Sequence, residues 1–454
     1  MSFYSIILAA GEGKRMKSKT AKPMQIISGK PILHWVLKAA SEAGCEDNIV
    51  VVGHKAEDIE GYFKESAKYA LQKHQLGTGH ALICGLDALK KDEGTVVVLN
   101  GDAPLITGKT LKKAYDEHIS TKSAATVVSA FAENPFGYGR IIRNGENLCK
   151  IVEEKDASEA EKKICEINSG IYFFDLKNLL GVTDKISNNN AQGEYYITDA
   201  LTALLAKGEK VGICEGDFCD VLGVNDRIQL AEAEKIFNKR NLETLMLGGV
   251  TVVDPNNTYI EGEVFVGCDT VIYPGTTLGC GTVIGEDCKI GPNSMIYNTK
   301  IENNTSVVSS KLVDSKVGNN VNIGPFAYLR PNSNISDNVK IGDFVEIKNS
   351  NIAEGTKVSH LTYVGDSDVG SNVNFGCGTV TVNYDGINKH RTVIGNNAFI
   401  GCNTNLVAPV KVEDGAYTAA GSTITDKVPK DSLAVARARQ INKEGWVKKN
   451  NKLK

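Results

Sequence analysis

The feature that most constrains the fold of this chain is a six-residue repeat of aliphatic side chains in its second half. A period of six fits neither the 3.6-residue turn of an α-helix nor the two-residue alternation of a β-strand. It is typical of a parallel β-helix, in which each repeat forms one flat side of a coil and turns its aliphatic side chain inward. Three in-phase runs carry the pattern: Val266, Ile272, Leu278, Ile284, Ile290 and Ile296; Val317, Ile323, Leu329, Ile335, Ile341 and Ile347; and Ile394, Ile400, Leu406 and Val412.

Shifts of phase separate these runs. We expect the segments Ile301–Lys316 and Thr381–Arg391 to be loops that leave the coil, because they break the six-residue spacing. Stacked coils bury their core between neighbouring turns, so the coil must be regular and the loops are free to carry function.

The first half alternates short apolar segments with helical patterns. Ser5–Ala10, Asn48–Val52 and Thr95–Leu99 are typical of buried strands, whereas Ile32–Ala43 and Ala56–Ala67 are typical of helices. This alternation predicts a mostly parallel sheet covered on both faces, with ligands bound beyond the carboxyl ends of the strands.

A long helical pattern, Arg227–Leu247, separates the two halves. Asp226 can cap its start, and Gly248 can end it. We therefore predict a first domain over residues 1–226, a linker helix within 227–249 and a hexapeptide-repeat domain with a C-terminal tail over 250–454.

The overall charge excludes no class of enzyme but favours no polyanionic partner. The chain has 51 basic and 54 acidic residues and a net charge of −3, so we expect no nucleic acid as a partner. The N-terminus lacks the pattern of a secretory signal, and no apolar run is long enough to span a bilayer. We expect a cytoplasmic protein without membrane insertion, whose 11 cysteines are reduced thiols.

A glycine-rich segment follows the first predicted strand. Ala9–Met16 has the sequence AAGEGKRM, in which the glycines allow a phosphate to approach backbone N–H groups while Lys14 and Arg15 add positive charge. It lacks the Gly-Lys-Ser/Thr of a Walker A loop and the third glycine of a dinucleotide-binding loop. By itself the segment is equally compatible with a tight turn.

Asp102 stands directly after a predicted strand, at the edge where ligands bind. A carboxylate there can hold a hard divalent cation, which prefers oxygen ligands. The alternative is a turn residue that only precedes Pro104.

A second candidate site lies in the hexapeptide half. His360 and His390 are the only histidines of this half, and histidine is suited to act as a base near neutral pH. A lone histidine is more often structural, but His360 lies within a regular repeat, and Arg330, Lys348 and Tyr363 stand at coil spacing from it.

These segments belong to a longer ordered series of motifs. After AAGEGKRM come Lys22-Pro23, QLGTGH (75–80), NGDAPL (100–105), GYGR (137–140), NSG (168–170), QGEYY (192–196), GVN (223–225), LRP (329–331), FVEIK (344–348), SHLTY (359–363), NYDG (383–386) and KEGW (443–446). In this order they resemble the motifs of sugar-1-phosphate nucleotidylyltransferases. Over essentially the whole chain they resemble the bacterial family of bifunctional N-acetylglucosamine-1-phosphate uridylyltransferases/glucosamine-1-phosphate N-acetyltransferases.

For the first half, the resemblance implies an α/β Rossmann-like nucleotidyltransferase domain. Asp102 and Asn225 would bind Mg²⁺, and Lys22 and Arg15 would act on the phosphates. The residues that would bind UDP-N-acetylglucosamine are Leu8, Ala9, Ala10, Gly11, Lys22, Gln72, Gly77, Thr78, Asn100, Gly101, Asp102, Gly139, Glu153, Asn168 and Asn225.

For the second half, the resemblance implies a left-handed parallel β-helix with acetyltransferase activity. His360 would be the catalytic base, oriented by Glu346. Glucosamine 1-phosphate would contact Arg330, Lys348, Tyr363, Asn374 and Lys389, and acetyl-CoA would contact Cys377, Asn383, Tyr384, Cys402, Ala420 and Arg437.

The function that follows is the synthesis of UDP-N-acetylglucosamine, a cell-wall precursor, from glucosamine 1-phosphate with acetyl-CoA and UTP as co-substrates. The family also implies a homotrimer assembled through the β-helix. One alternative is a nucleotidylyltransferase whose β-helix is only an assembly scaffold, against which His360 argues. Two others are a zinc enzyme similar to γ-carbonic anhydrases, for which this half has too few histidines, and a non-catalytic sensor of sugar nucleotides, against which Asp102 argues.

Overall fold

The computed structural model describes residues 2–145, 147–190 and 192–450. The chain forms two compact units, Met1–Phe237 and Asn238–Lys454. The helix predicted over Arg227–Leu247 is present with these bounds, and the division between the units falls within it. In the described ranges the helices are α1 (Ile32–Glu42), α2 (Ala56–Phe63), α3 (Thr78–Leu89), α4 (Gly108–Thr121), α5 (Leu176–Leu180), α6 (Thr198–Ala206), α7 (Arg227–Leu247) and α8 (Trp446–Lys449).

The first unit is built on a mostly parallel sheet, as its alternating pattern predicts. Its strands are β1 (Phe3–Leu8), β2 (Ile26–Ile27), β3 (Lys30–Pro31), β4 (Asp47–Val52), β5 (Lys68–Leu71), β6 (Thr95–Asn100), β7 (Ala125–Phe131), β8 (Gly139–Asn144), β9 (Asn147–Val152), β10 (Glu166–Asp175) and β11 (Val211–Glu215). The main sheet has the order β11-β7-β10-β6-β1-β4-β5, in which β10 runs antiparallel to both neighbours. The pair β8 and β9 extends from β10, and β2 pairs with β3.

Alternate residues of the central strand β1 point to opposite faces of this sheet. Ile6 packs with Leu82 of α3 in one apolar cluster, and Ile7 packs with Leu33 of α1 in another. All four side chains are fully buried, which explains why the strand sequence is apolar on both faces, with Ser5 as a buried polar exception, rather than alternating.

The second unit is a coil of short parallel strands with the architecture of a left-handed β-helix. Each strand pairs in register with the strand one coil away, so that Ile272 lies against Ile290. The inward aliphatic side chains form one continuous buried cluster. The first sheet contains β12 (Thr251–Val252), β15 (Val271–Ile272), β18 (Lys289–Ile290), β21 (Ser306–Val307), β24 (Asn322–Ile323), β27 (Lys340–Asp343), β30 (Lys357–His360), β33 (Asn374–Phe375), β36 (Phe399–Ile400), β39 (Tyr417–Thr418) and β41 (Leu433–Ala434).

The other two sheets form the remaining sides of the coil. The second contains β13 (Tyr259–Ile260), β16 (Thr277–Leu278), β19 (Met295–Tyr297), β22 (Lys311–Val313), β25 (Tyr328–Leu329), β28 (Glu346–Lys348), β31 (Tyr363–Gly365), β34 (Val380–Val382), β37 (Asn405–Val407) and β40 (Thr423–Ile424). The third contains β14 (Phe265–Val266), β17 (Val283–Ile284), β20 (Lys300–Ile301), β23 (Lys316–Val317), β26 (Asn334–Ile335), β29 (Asn351–Ile352), β32 (Ser367–Val369), β35 (Thr392–Ile394) and β38 (Val410–Val412).

The prediction of a loop over Ile301–Lys316 is wrong. The chain continues through this segment as regular coil, with strands β21 and β22 in their sheets. The phase shifts because some sides of the coil are one residue shorter, as between the buried side chains of Leu312 and Val317. A five-residue side still turns its aliphatic residue inward, so the core is preserved while the sequence period changes.

The second predicted loop, Thr381–Arg391, is confirmed except for its first two residues, which belong to β34. Strand β34 ends at Val382 and β35 begins at Thr392, so residues 383–391 leave the coil. In the parts of the chain that the structure describes, no helix combines the length and hydropathy of a membrane-spanning segment.

Candidate active sites

The first candidate site is a cleft at the carboxyl edge of the sheet in the N-terminal unit. Strands β1 and β6 pair in parallel, with Leu8 opposite Asn100, so the segments that follow them emerge side by side. Two adjoining cavities share Leu8, Thr78, Asn100 and Asp102 in their walls. The other predicted residues of this half also line them: Ala9, Ala10, Gly11, Lys22, Gln72, Gly77 and Gly101 in the first cavity, and Arg15, Gly139, Glu153, Asn168 and Asn225 in the second.

Lys22 connects the two predicted metal ligands. Its Nζ pairs with the carboxylate of Asp102 and donates to Oδ1 of Asn225 at 2.9 Å. Nη2 of Arg15 donates to the same amide oxygen at 2.9 Å. The N–H of Val224 donates to the backbone oxygen of Asp102 at 2.8 Å and holds the two loops together. Carboxylate and amide oxygens thus converge on one cation, which is a donor set that suits a hard divalent metal.

The glycine-rich loop permits this arrangement at Gly13. Its φ of +64° lies in the left-handed region, and a Cβ there would lie 2.6 Å from Cβ of Lys22. Any side chain at this position would displace Lys22 from Asp102, which gives a local structural reason for the glycine.

The second cavity has a polar wall suited to a sugar. Nδ2 of Asn168 donates to Oη of Tyr172 at 2.7 Å. Burial, and then the negative charge of Asp156, raises the pKa of the carboxyl group of Glu153. A largely buried carboxylate beside Gly139 can accept hydrogen bonds from sugar hydroxyl groups that replace its lost hydration.

The second candidate site lies along one edge of the β-helix. Strand register pairs Asp343 with His360 in the neighbouring coil. It then pairs Val358 with Phe375, Phe375 with Ile400, and Ile400 with Thr418. The positions two residues further along stack in one row, which we call the His360 column: Asp343, His360, Cys377, Cys402 and Ala420. The predicted base and three predicted acetyl-CoA contacts therefore share one edge of the coil.

The contacts of His360 correct the prediction for Glu346. Nδ1 of His360 lies 2.5 Å from Oδ1 of Asp343, and this hydrogen bond lowers the pKa of Asp343. Glu346 stands on the next side of the coil, opposite Tyr363, and accepts from Nη1 of Arg330 at 2.8 Å. Asp343 rather than Glu346 contacts the imidazole ring, because the register brings residues 17 positions apart face to face.

Three basic side chains converge around the corner from His360. The ammonium of Lys389, then burial, and further the charge of Arg330 lower the pKa of Lys348. The carboxylate of Asp366 lies 3.8 Å from Nζ of Lys348 and offsets part of this positive charge. Cations that destabilise one another in this way form a site for a bound anion such as a phosphate.

Asp366 is a residue of this cluster that the motifs did not single out. Its side chain is buried and accepts from Nδ2 of Asn349 at 2.5 Å and from the amide of Asn383. Burial raises the pKa of Asp366, but these hydrogen bonds and the charge of Lys348 hold it below its usual range. Asn383, a predicted acetyl-CoA contact, is thereby anchored in the basic cluster at the start of the loop over residues 383–391.

The remaining predicted residues of this half lie on the same unit. Oη of Tyr363 lies 3.4 Å from Nδ2 of Asn383, and Oη of Tyr384 donates within its loop to the oxygen of Gly386 at 2.5 Å. Asn374 begins β33, in the same sheet as His360. The side chain of Arg437 lies beside Gly421.

Comparison with known proteins identifies the family. The model of the family described as nucleotidyl transferase matches residues 4–231, and that described as bacterial transferase hexapeptide (six repeats) matches residues 263–298, 314–349 and 391–426. The bifunctional protein GlmU of Caldanaerobacter subterraneus is 55% identical over 449 residues, covering 99% of this chain and 98% of the relative. Those of Acetivibrio thermocellus and Clostridium acetobutylicum are 52% identical over 452 residues, covering 99% of this chain and 98% and 99% of the relatives. The chain belongs to the GlmU family.

Membership of the GlmU family confirms the resemblance seen in the motifs. The chain is a bifunctional transferase with uridylyltransferase and glucosamine-1-phosphate acetyltransferase activities. The nucleotidyl transferase match falls on the N-terminal unit, and the hexapeptide matches fall on the β-helix.

Asp343, Asp366 and His80 of this GlmU-family chain contact predicted site residues, and the sequence motifs assign them no role. Asp343 and Asp366 stand 17 positions before His360 and Asn383, so counting one coil along the chain could have found them. The third, His80 in the QLGTGH motif, contacts Gln72 across the turn that starts α3, and no periodic signal marks that contact.

Proposed function

We propose that the chain makes UDP-N-acetylglucosamine in two separate sites. The β-helix transfers an acetyl group from acetyl-CoA to the amine of glucosamine 1-phosphate. The N-terminal unit then transfers a uridylyl group from UTP to N-acetylglucosamine 1-phosphate and releases pyrophosphate. The observation that carries this proposal is the pairing of His360 with Asp343, one corner away from the basic cluster around Lys348.

The acetyl transfer needs a neutral amine and a base. Asp343 accepts from the Nδ1–H of His360, which leaves the lone pair of Nε2 to take the amine proton as nitrogen attacks the thioester carbon. The C–S bond then breaks, and the proton passes to the thiolate of CoA. The phosphate of the substrate is held by Arg330, Lys348 and Lys389, with Tyr363 and Asn374 at the sugar. The thioester arm lies along the His360 column past Cys377, Cys402 and Ala420, near Asn383, Tyr384 and Arg437.

The uridylyl transfer needs positioning and charge neutralisation more than covalent catalysis. A phosphate oxygen of N-acetylglucosamine 1-phosphate attacks the α-phosphorus of UTP, and the bond to pyrophosphate breaks. Lys22 and Arg15 neutralise the phosphates. Gln72, Gly77 and Thr78 hold the uracil, whereas Gly139, Glu153 and Asn168 hold the sugar.

Asp102 and Asn225 would hold Mg²⁺ in this reaction. Their side-chain oxygens already converge on the ammonium of Lys22, so the donor set fits a hard cation. The metal supplies charge neutralisation for the polyphosphate when bound. With the metal on the carboxylate of Asp102, the ammonium of Lys22 would be released from that carboxylate and could bind a phosphate oxygen.

We further propose that three copies assemble through the β-helix. At one corner, Phe326, Phe344 and Leu361 form an exposed row, here the Phe344 ladder, directly beside the His360 column. All three have positive φ, whereas the other corners mostly place Asn or Asp there. The rings of Phe326 and Phe344 stack at 5.3 Å while each side chain stays more than half exposed. Large apolar side chains in a disfavoured conformation on the surface indicate that another copy covers them.

Light scattering tests the assembly. We expect three times the mass of one chain for the unaltered protein and dissociation for Phe344→Asp, because a buried charge opposes the contact. Phe265→Asp is a matched control, since Phe265 is equally exposed but far along the coil from the ladder. A monomeric unaltered protein, or a trimer that survives Phe344→Asp, contradicts the proposed contact.

A coupled assay tests the proposed function. With glucosamine 1-phosphate, acetyl-CoA, UTP and Mg²⁺, we expect release of both free thiol and pyrophosphate. Omission of acetyl-CoA should stop both, whereas omission of UTP should stop only pyrophosphate release. Pyrophosphate release from UTP with supplied N-acetylglucosamine 1-phosphate, without any thiol release from acetyl-CoA in the presence of glucosamine 1-phosphate, would mean that the β-helix is only a scaffold.

A further inference from the structure

We propose that His80 sets the base specificity of the uridylyl site by fixing the side-chain amide of Gln72. This inference rests on the proposed role of Gln72 at the uracil. It adds a reason why a base with an N–H group at position 3 is accepted and one with a bare nitrogen there is rejected.

The amide of Gln72 is held at one end by two acceptors. Its Nε2 donates to the carbonyl oxygen of Gly77 at 3.1 Å and lies 3.0 Å from Nδ1 of His80. A carbonyl oxygen can only accept, so the atom that faces Gly77 is the nitrogen and not the oxygen of the amide. Gln72 is 3% exposed, so a rotated side chain has no bulk water to bond with instead.

The position of His80 determines which atom of the Gln72 amide is still available to bind a ligand. One hydrogen on Nε2 of Gln72 is donated to the oxygen of Gly77 and the other to Nδ1 of His80. In this arrangement His80 carries its own proton on its Nε2, which lies 4.0 Å from Sγ of Cys84. Both N–H groups of Gln72 are then occupied. The atom that Gln72 can offer to the cavity it lines is the acceptor Oε1.

A fixed acceptor distinguishes pyrimidines by one atom. Uracil presents a donor at N3, which Oε1 of Gln72 can accept. Cytosine presents a lone pair at N3, so two acceptors would face each other. Rotating the amide to present its nitrogen would place Oε1 against the Gly77 oxygen, which loses that hydrogen bond in a buried place, and would require His80 to move its proton from Nε2 to Nδ1.

The test is the ratio of kcat/KM for UTP to that for CTP, measured as pyrophosphate release catalysed by the full chain. His80→Phe retains a ring without an acceptor, and His80→Ala removes the ring. Each is expected to lower the ratio roughly tenfold, as expected for one lost buried hydrogen bond. In His80→Asn an amide oxygen can take the place of Nδ1, so this variant should keep most of the preference.

Asp87→Ala, at an exposed position on the same helix α3, is the control and should leave the ratio unchanged. An unchanged ratio in the folded Phe and Ala variants, or an Asn variant as unselective as Phe, would overturn the role of His80. Loss of UTP and CTP turnover in equal proportion would also overturn it. Absence of any UTP turnover by the unaltered protein would instead contradict the proposed uridylyl site itself.

Discussion

Replacing His360 with alanine is expected to lower acetyl transfer roughly 10²- to 10⁴-fold, the range typical of a lost general base. Uridylyl transfer from supplied N-acetylglucosamine 1-phosphate should stay within about twofold, because His360 belongs to a separate unit with its own core. Thiol release from acetyl-CoA measures the first activity, and pyrophosphate release measures the second. Equal loss of both would mean that the two sites are not independent.

Two carboxylate variants sharpen this test. Asp343→Asn keeps the shape of the side chain that contacts Nδ1 of His360. An amide can donate as well as accept, so it no longer holds the proton of the ring on Nδ1, and kcat should fall with little change in KM for glucosamine 1-phosphate. Glu346→Gln weakens the pair with Arg330 and should act mainly on that KM. The opposite assignment, with kcat sensitive to Glu346→Gln and not to Asp343→Asn, would restore Glu346 as the orienting residue.

Replacing Asp102 with alanine is expected to lower uridylyl transfer about 10²- to 10³-fold while acetyl transfer continues. The variant removes the carboxylate on which Lys22 and the proposed Mg²⁺ depend, and loss of one charge-stabilising group typically costs about 10²- to 10³-fold in kcat. Pyrophosphate release, measured over a range of Mg²⁺ concentrations, should not recover at high metal. Retained uridylyl transfer would remove Asp102 from the metal site.

Asp226→Ala is the matched control for this prediction. Asp226 follows Asn225 directly, but its Oδ1 accepts from the backbone N–H groups of Ile228 and Gln229 as a cap of α7. Its loss should cost about 1 kcal/mol of stability, as is usual for a helix cap, and leave uridylyl transfer largely intact. Thermal unfolding of the two variants separates a destabilised loop from a lost ligand.

Much of the fold follows directly from local sequence patterns. Inward residues such as Ile272 and Ile290 recur at a fixed spacing because every side of the coil must bury one aliphatic residue, so the β-helix is visible in the sequence. The helix Arg227–Leu247 is equally visible, since its pattern is continuous and its ends are marked. The prediction of a loop over Ile301–Lys316 is wrong because a five-residue side satisfies the same burial requirement as a six-residue one.

The motifs also indicated which segments form the first candidate site. The glycine-rich loop and Asp102 both follow buried strands, and parallel strands bring their carboxyl ends to one edge. The motifs could not show that Lys22 lies on the oxygens of both Asp102 and Asn225, because 203 positions separate Lys22 from Asn225 along the chain.

The sequence by itself thus determined the two architectures, the family and the segments from which the candidate sites are built, because periodicity and motif order are local properties of the chain. Only the tertiary structure decided which side chains meet within those segments and which partners outside the predicted set they contact. The partner of His360 is Asp343 because one five-residue side makes the intervening coil 17 residues long, and the partner of Gln72 is His80 because a turn folds α3 back against the end of β5. Contacts between coils and across turns depend on the summed lengths of the segments between them, which no single motif contains.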